Sequence, residues 1–260
     1  MSSKVALTKM HGARNDFVIL DRRAANVDAI DSFARWVCDR RAGIGADGLI
    51  AIEASSRSGI VMRTINADGT EAEMCGNGIR CAARWLDESG EGDRTTFETA
   101  AGEIRTEVVA RHPEYLVRAI VPIRGSRARA LEFLDDAFFV DLGNPHVVIF
   151  REDVAAIDLE VLAPSLQAHS SFPGGTNVHV AALVGSDGLQ MRHWERGVGL
   201  TMACGTGAIA AAIAAIQSGR VRSPVRTLVP GGQLVVEWDG TGAAALTGPA
   251  VRVFDTEVCI

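Results

Sequence analysis

The 260 residues leave room for one large domain or two of about 130 residues, and 47% hydrophobic with 22% charged residues is too apolar for disorder and too varied for a coiled coil. A net charge of −6 without a basic block argues against a partner held by phosphate neutralisation, so no nucleic acid is expected. Apart from Lys4 and Lys9 every basic side chain is arginine, which makes a pyridoxal Schiff base improbable and, with no Gly-x-x-x-x-Gly-Lys loop, leaves no cofactor expected.

The five cysteines, Cys38, Cys75, Cys81, Cys204 and Cys259, contain no Cys-x-x-Cys pair, so neither a disulfide scaffold nor a metal module follows. Met1 to Met10 is too short in apolar residues for a signal peptide. The longest helix-like apolar run, Ala208 to Ile216, falls far below the ~20 residues of a membrane span. A soluble, cytoplasmic chain with free thiols and no membrane partner is the expectation.

Along the first half, β-type runs are predicted at Val5 to Met10, Phe17 to Asp21, Gly48 to Ile52, Ile60 to Ile65, Thr95 to Thr99, Ile104 to Ala110 and Tyr115 to Val121. Helical spacing predicts Asp31 to Arg40 and Gly76 to about Asp87. The Arg-rich stretch Arg124 to Arg129 reads as a linker or a loop near one. Beyond it, strands are expected at Ala137 to Leu142, His146 to Phe150, Thr176 to Ala182, Leu189 to Trp194, Val225 to Val229, Gln233 to Trp238 and Val251 to Glu257, with helices at Leu159 to His169 and Gly205 to Ser218. The last helix is apolar all round, which places it in the middle of a domain.

One signature occurs twice: Cys75-Gly76-Asn77-Gly78 and Cys204-Gly205-Thr206-Gly207, each opening a helix and lying 129 residues apart, half the chain. That spacing is what a duplication leaves. We therefore expect an α+β fold of two pseudo-symmetric domains: residues 1–120, completed by a strand at 249–260, and residues 121–248, with the active site in the cleft between them.

A cysteine just before a helix sits beside unpaired N–H groups and the positive dipole end, which favours thiolate and a base near neutral pH. Two such thiols at one carbon acid can remove a proton from one face and return one to the other, while the helix ends stabilise the developing charge. Taken singly, each motif also reads as a small buried residue at a tight turn, and Asn15, Asn66 and Asn144 as turn-capping residues.

Six ordered motifs add to this reading: His11-Gly12-Ala13-Arg14-Asn15-Asp16-Phe17, Gly43-Ile44-Gly45-Ala46-Asp47-Gly48, Asn66 to Glu71 through Cys75-Gly76-Asn77-Gly78, Gly143-Asn144-Pro145-His146, Thr176-Asn177-Val178, and Glu195-Arg196-Gly197 through Ala203-Cys204-Gly205-Thr206-Gly207. Together they resemble the diaminopimelate epimerase family. The resemblance implies two domains of mixed sheet, each wrapped around a central helix, a cofactor-independent two-cysteine mechanism, and a place in lysine and peptidoglycan precursor synthesis. It implies Cys75 and Cys204 as the acid–base pair. The N–H groups of Gly76, Asn77, Gly205 and Thr206 would cradle the reacting carboxylate, and Asn15, Asn66, Asn144, Asn177, Glu195 and Arg196 would bind substrate. His146 and Glu195 would set the thiols' protonation and position, and a homodimer is implied.

This chain departs from the family's usual pattern at Arg14, commonly Gly, and at Leu200, commonly Glu. Relatives with the same two cysteines racemise other amino acids or isomerise unsaturated tricarboxylates. A racemase for another amino acid and a non-catalytic ligand-binding relative are the alternatives. A cysteine hydrolase would need only one of the two thiols. Cys38, Cys81 and Cys259 are expected as buried apolar fillers.

Overall fold

The computed structural model describes residues 4–57, 59–123 and 127–260. The chain divides into two compact units, residues 1–119 with 248–260 and residues 120–247. Three of the six residues expected as a linker, 124–126, lie outside the described residues.

In the first unit β1 (Lys4–Gly12) and β2 (Asn15–Asp21) form a hairpin, α1 (Ile30–Cys38) follows, and β3 (Gly48–Ala54) lies parallel to β2. Then come β4 (Ile60–Asn66), the two-residue β5 (Glu71–Ala72), α2 (Gly76–Glu88), β6 (Arg94–Thr99), β7 (Gly102–Ala110) and β8 (Leu116–Pro122). β4 is antiparallel to β3 and β5 and parallel to β6, which pairs antiparallel with β7.

The second unit repeats the pattern. After β9 (Arg129–Ala130) come β10 (Ala137–Asp141) and β11 (Pro145–Phe150), then α3 (Leu159–Gln167), and β12 (Asn177–Val184) parallel to β11. β13 (Gly188–Glu195), the short β14 (Gly199–Thr201), α4 (Gly205–Gln217), β15 (Val225–Val229), β16 (Gly232–Glu237) and β17 (Ala243–Pro249) complete it. Parallel and antiparallel pairings recur in the same order. β18 (Val251–Cys259) then pairs antiparallel with β1.

Each sheet wraps a helix. α2 packs on β1, β2, β3, β4, β6 and β7, and α4 on β10, β11, β12, β13, β15 and β16. A helix surrounded by strands must be apolar nearly all round. α4 meets that condition with Ala208 to Ala215 buried throughout, and α2 meets it with Ile79, Cys81, Ala82, Ala83 and Leu86 plus one buried cation, Arg80. β3 is buried on both faces from Gly48 to Ile52, so it shows a continuous apolar run instead of alternation. The outer helices need only one apolar stripe. In α1 it is Ile30, Phe33, Ala34, Val37 and Cys38, and α3 starts on Asp158, whose carboxylate accepts from the N–H groups of Glu160 and Val161.

Four strands carry no sequence expectation. β5, β9 and β14 have two or three residues each, too few for a period. β17 is Ala-Ala-Ala-Leu-Thr-Gly-Pro, composition that disfavours strands, and its pairing with β16 overrides that preference.

The registers map one unit onto the other. The β2–β3 pair Phe17 and Gly48 corresponds to the β11–β12 pair His146 and Asn177. The β3–β4 pair Ile50 and Thr64 corresponds to the β12–β13 pair His179 and His193. Asn15 therefore stands where Asn144 stands, Asn66 where Glu195 stands, and Cys75 where Cys204 stands.

Candidate active site

Both motif cysteines are N-caps. Cys75 has extended backbone (φ −128°, ψ 112°), and its Sγ accepts from the Gly78 N–H at 3.4 Å. Cys204 repeats this (φ −123°, ψ 112°), accepting from the Gly207 N–H at 3.3 Å. The fourth motif position must be glycine because the helix start presses on a strand. A Cβ on Gly78 would lie 2.8 Å from Ile50 Cδ1, and one on Gly207 would collide with the His179 ring. Gly76 and Gly205 open the helices, and Asn77 and Thr206 follow them, where N–H groups have no intrahelical acceptor by construction.

Around the half-buried Cys75 the sulfur donates to Asn15 Oδ1 at 3.7 Å, and Asn77 Nδ2 donates to the same oxygen at 3.2 Å. The Asn15 amide donates in turn to Asp47 at 2.7 Å. Asp47 belongs to an ion cluster with Arg40, Asp16 and Lys9, at 2.6–2.8 Å. Burial opposes ionisation of Asp16, yet hydrogen bonds from Arg40 and Lys9 hold its carboxyl well below the usual range. This cluster locks Asn15, and two of its members, Asp16 and Asp47, lie inside the sequence motifs.

Arg80 escaped the sequence reading. It is fully buried and donates to the Gly76 carbonyl and to Asn77 Oδ1, both at 2.7 Å, and to the Pro249 carbonyl at 3.3 Å. Burial pulls its pKa down to about 10, against attraction to the sulfurs of Cys81 and Cys75. No period in the sequence marks it as buried, because it lies one residue past Ile79, about 100° round the helix from the Ile79, Ala82, Ala83 and Leu86 stripe.

Cys204 is buried at 3% exposure, and its partners differ. Thr206 Oγ1 lies 3.6 Å from Sγ, and the Glu195 carboxylate is hydrogen-bonded to the thiol. Burial, then repulsion by Glu195, pushes this thiol well above its ordinary pKa, outweighing the N–H of Gly207 and the Thr206 hydroxyl. The expectation that the helix start favours thiolate is thus reversed here, because desolvation exceeds the helix-end contribution.

His146 has both ring nitrogens engaged by neighbouring side chains. Its Nε2 lies 3.0 Å from Asn144 Oδ1 and its Nδ1 2.9 Å from His179 Nε2. Asn177 ties segments together, donating to the Pro145 carbonyl and accepting from the Arg196 N–H, both at 2.9 Å. Arg196 is exposed and donates to the Gly174 carbonyl at 2.9 Å. Asn66 donates to Thr70 Oγ1 at 3.0 Å across the β4–β5 turn, the capping role its position also suggested. Arg14 is exposed, and with Ala13 it occupies the left-handed region (φ 64° and 51°) of the β1–β2 turn, where glycine is the unstrained choice. Leu200 is an exposed residue of β14.

Cys38 and Cys81 are buried and burial pushes both thiols up to about 12, consistent with inert fillers. Cys259 is exposed, which corrects the expectation for that residue: it ends β18, whose alternate positions face solvent. Among the described residues no cluster of His, Cys, Asp or Glu has metal-binding geometry, and no helix is long and apolar enough to cross a membrane.

A cysteine-capped helix inside each of two mixed sheets defines an α+β two-domain class shared with known structures. In fold the chain is similar to a Bacillus anthracis phenazine biosynthesis protein of the PhzF family, with a TM-score of 0.74 at 16% identity over 99% of this chain and 100% of that one. It is also similar to a hydroxyproline epimerase from Agrobacterium vitis, with a TM-score of 0.67 at 16% identity over 98% and 91%. The family model described as diaminopimelate epimerase matches residues 7–119 and 138–253. Over 261 residues the chain is 42% identical to the diaminopimelate epimerase of Sphingopyxis alaskensis, covering 96% of each. The chain belongs to the diaminopimelate epimerase family, and it is an isomerase.

Proposed function

We propose that this chain interconverts LL- and meso-2,6-diaminopimelate by a two-base proton transfer, in lysine and peptidoglycan precursor synthesis. The observation that carries the reading is the repeat itself: each unit's central helix begins on a cysteine whose sulfur already accepts a first-turn N–H. A carbanion next to a carboxylate needs positive potential where charge develops, and two helix starts supply it. The thiolate of one cysteine takes the α-proton, and the thiol of the other delivers a proton to the opposite face. Proton count is conserved, and the centre inverts.

The environments suggest which thiol rests protonated. Cys204, buried beside a carboxylate, holds its proton and serves as the resting acid; Cys75, whose Sγ–H is directed at Asn15 Oδ1, acts as the base once that proton has left. In this reading the N–H groups of Gly76, Asn77, Gly205 and Thr206 hold the reacting carboxylate. Asn15, Asn66, Asn144, Asn177, Glu195 and Arg196 face the substrate's polar ends, with the Arg196 guanidinium suited to a distal carboxylate. The active enzyme is a cytoplasmic homodimer in the same reading, supported by the exposed apolar side chains Val253, Phe254 and Ile260 near the C-terminus; sedimentation at micromolar concentration tests that assignment.

Proton NMR of LL-diaminopimelate in heavy water with reduced protein tests the reaction. Loss of the α-proton signal with formation of the meso isomer is the expected result. No exchange by folded protein would overturn the substrate assignment.

A further inference from the structure

Three histidines in the second unit, His146 on β11, His179 on β12 and His193 on β13, are buried completely and form one chain. His146 Nε2 meets Asn144 Oδ1 at 3.0 Å, His146 Nδ1 meets His179 Nε2 at 2.9 Å, and His179 Nδ1 meets His193 Nδ1 at 2.9 Å. His193 Nε2 is buried with no hydrogen-bond partner. The family motifs reach Asn144 and His146 but give no role to His179 or His193.

Each contact needs one proton, and each neutral imidazole carries one. Only two arrangements are then consistent. In the first, His193 donates from Nδ1, His179 from Nε2 and His146 from Nε2 into the Asn144 carbonyl, so the orphan at His193 Nε2 is an empty lone pair. In the second every proton is reversed, Asn144 must present its NH2 to His146, and the orphan becomes a buried N–H without acceptor. A buried donor left unmade is the rarer and costlier state. A fourth proton would place an imidazolium in a site whose burial pushes the histidines down, to about 3 for His146 and His193.

We propose that His179 and His193 are positioning residues: with His146 they form a one-way chain of N–H donors that pins the Asn144 carbonyl and leaves its amide NH2 as the donor offered to substrate. The functional half rests on the reading of Asn144 as a substrate ligand; the direction of the chain does not. The stack also abuts the Cys204 helix, since the His179 ring fills the space beside Gly207, so the same chain sets the seat of that helix's first turn.

The first measurement is long-range 1H–15N correlation NMR of protein labelled with 15N-histidine at neutral pH, without substrate. Nε2–H tautomers at His146 and His179 with Nδ1–H at His193 are expected, and the reversed set, or a charged ring, overturns the chain. The second compares His193→Leu with His193→Asn, whose amide nitrogen can stand near the lost Nδ1–H. His193→Leu is expected to raise KM about fivefold, the loss of one oriented hydrogen bond, and His193→Asn to restore it. Equal KM values in both variants, or losses that track thermal stability alone, would reduce the two residues to packing. If His193→Leu does not fold, the tautomers of the unmodified protein and the His193→Asn kinetics still decide. Correct tautomers in a protein that fails to exchange diaminopimelate would overturn the substrate reading and leave the chain standing.

Discussion

At the start of α2 the charge coupled to the cysteine is a buried cation, Arg80, whereas at the start of α4 it is the carboxylate of Glu195. The residues matching Arg80 and Glu195 across the repeat are Ile209 and Asn66, both uncharged. Behind the helices the contrast continues: Phe17, Ile50 and Thr64 in the first unit are replaced by His146, His179 and His193 in the second. One backbone plan thus holds two thiols in unlike electrostatic settings. A reaction that needs one thiolate and one thiol at the same instant calls for that inequality.

The strongest way to test the pairing is to remove either sulfur. Cys75→Ala and Cys204→Ala are each expected to lower epimerisation by at least about a thousandfold, within the range of general acid–base contributions. Chirally resolved product formation measures this. Full activity in either variant would reduce the enzyme to one base and remove the reason for the asymmetry.

The histidine stack makes the second unit acid-sensitive. All three imidazoles titrate below their unfolded value of about 6.5, chiefly because burial penalises the charged form. Below that pH the unfolded chain binds protons that the folded chain refuses, so ΔG of unfolding falls as pH falls. The stabilisation is complete above about pH 7 and is lost from about 6.5 downward, for His146 and His193 until about 3, at roughly 1.4 kcal/mol per pH unit for each imidazole. Arg196 adds repulsion at His146 in the same direction. Urea unfolding at pH 7.5 and 5.5 should show a drop of several kcal/mol, and His179→Ile with His193→Thr, the first unit's residues, should flatten it.

Arg80→Ile, the change that gives α2 the residue of α4, breaks the comparison from the other side. It removes the guanidinium that donates to the Gly76 and Pro249 carbonyls and to Asn77 Oδ1. A loss of about 2–4 kcal/mol in denaturant stability is expected, from the lost buried hydrogen bonds plus imperfect packing. Activity should fall further than stability explains, because Asn77 and the first turn of α2 lose their anchor.

Most of this architecture was legible in the residues, and the reasons are local. Period-two runs and the fully apolar Ala208 to Ile216 segment announced strands and a central helix, because a helix inside a sheet cannot carry a polar face. The repeated Cys-Gly-x-Gly marked both helix starts, since close strand contact admits only glycine at Gly78 and Gly207. What stayed hidden depends on register. Nothing in the order of residues shows that His146, His179 and His193 stack across three adjacent strands, nor that Glu195 reaches Cys204 instead of solvent. The thiol of Cys204 was misjudged for the same reason: helix position is written in sequence, and depth of burial is not.

The smallest expected effect isolates that depth. Glu195 is the second cause of the raised Cys204 pKa, after burial itself. Glu195→Gln keeps the shape and a hydrogen-bonding group while removing the negative charge, so thiolate at Cys204 is repelled less and its pKa moves down. Catalysis needs a thiol as proton donor on one side, so the alkaline limb of kcat/KM should shift to lower pH, with little change in the acid limb set by the partner thiol. Burial remains in the variant, so the limb moves part of the way and Cys204 stays harder to ionise than a free cysteine. A limb that does not move would show that the carboxylate acts only by holding substrate; one that moves upward would reverse the sign of the interaction and with it the assignment of Cys204 as the resting acid.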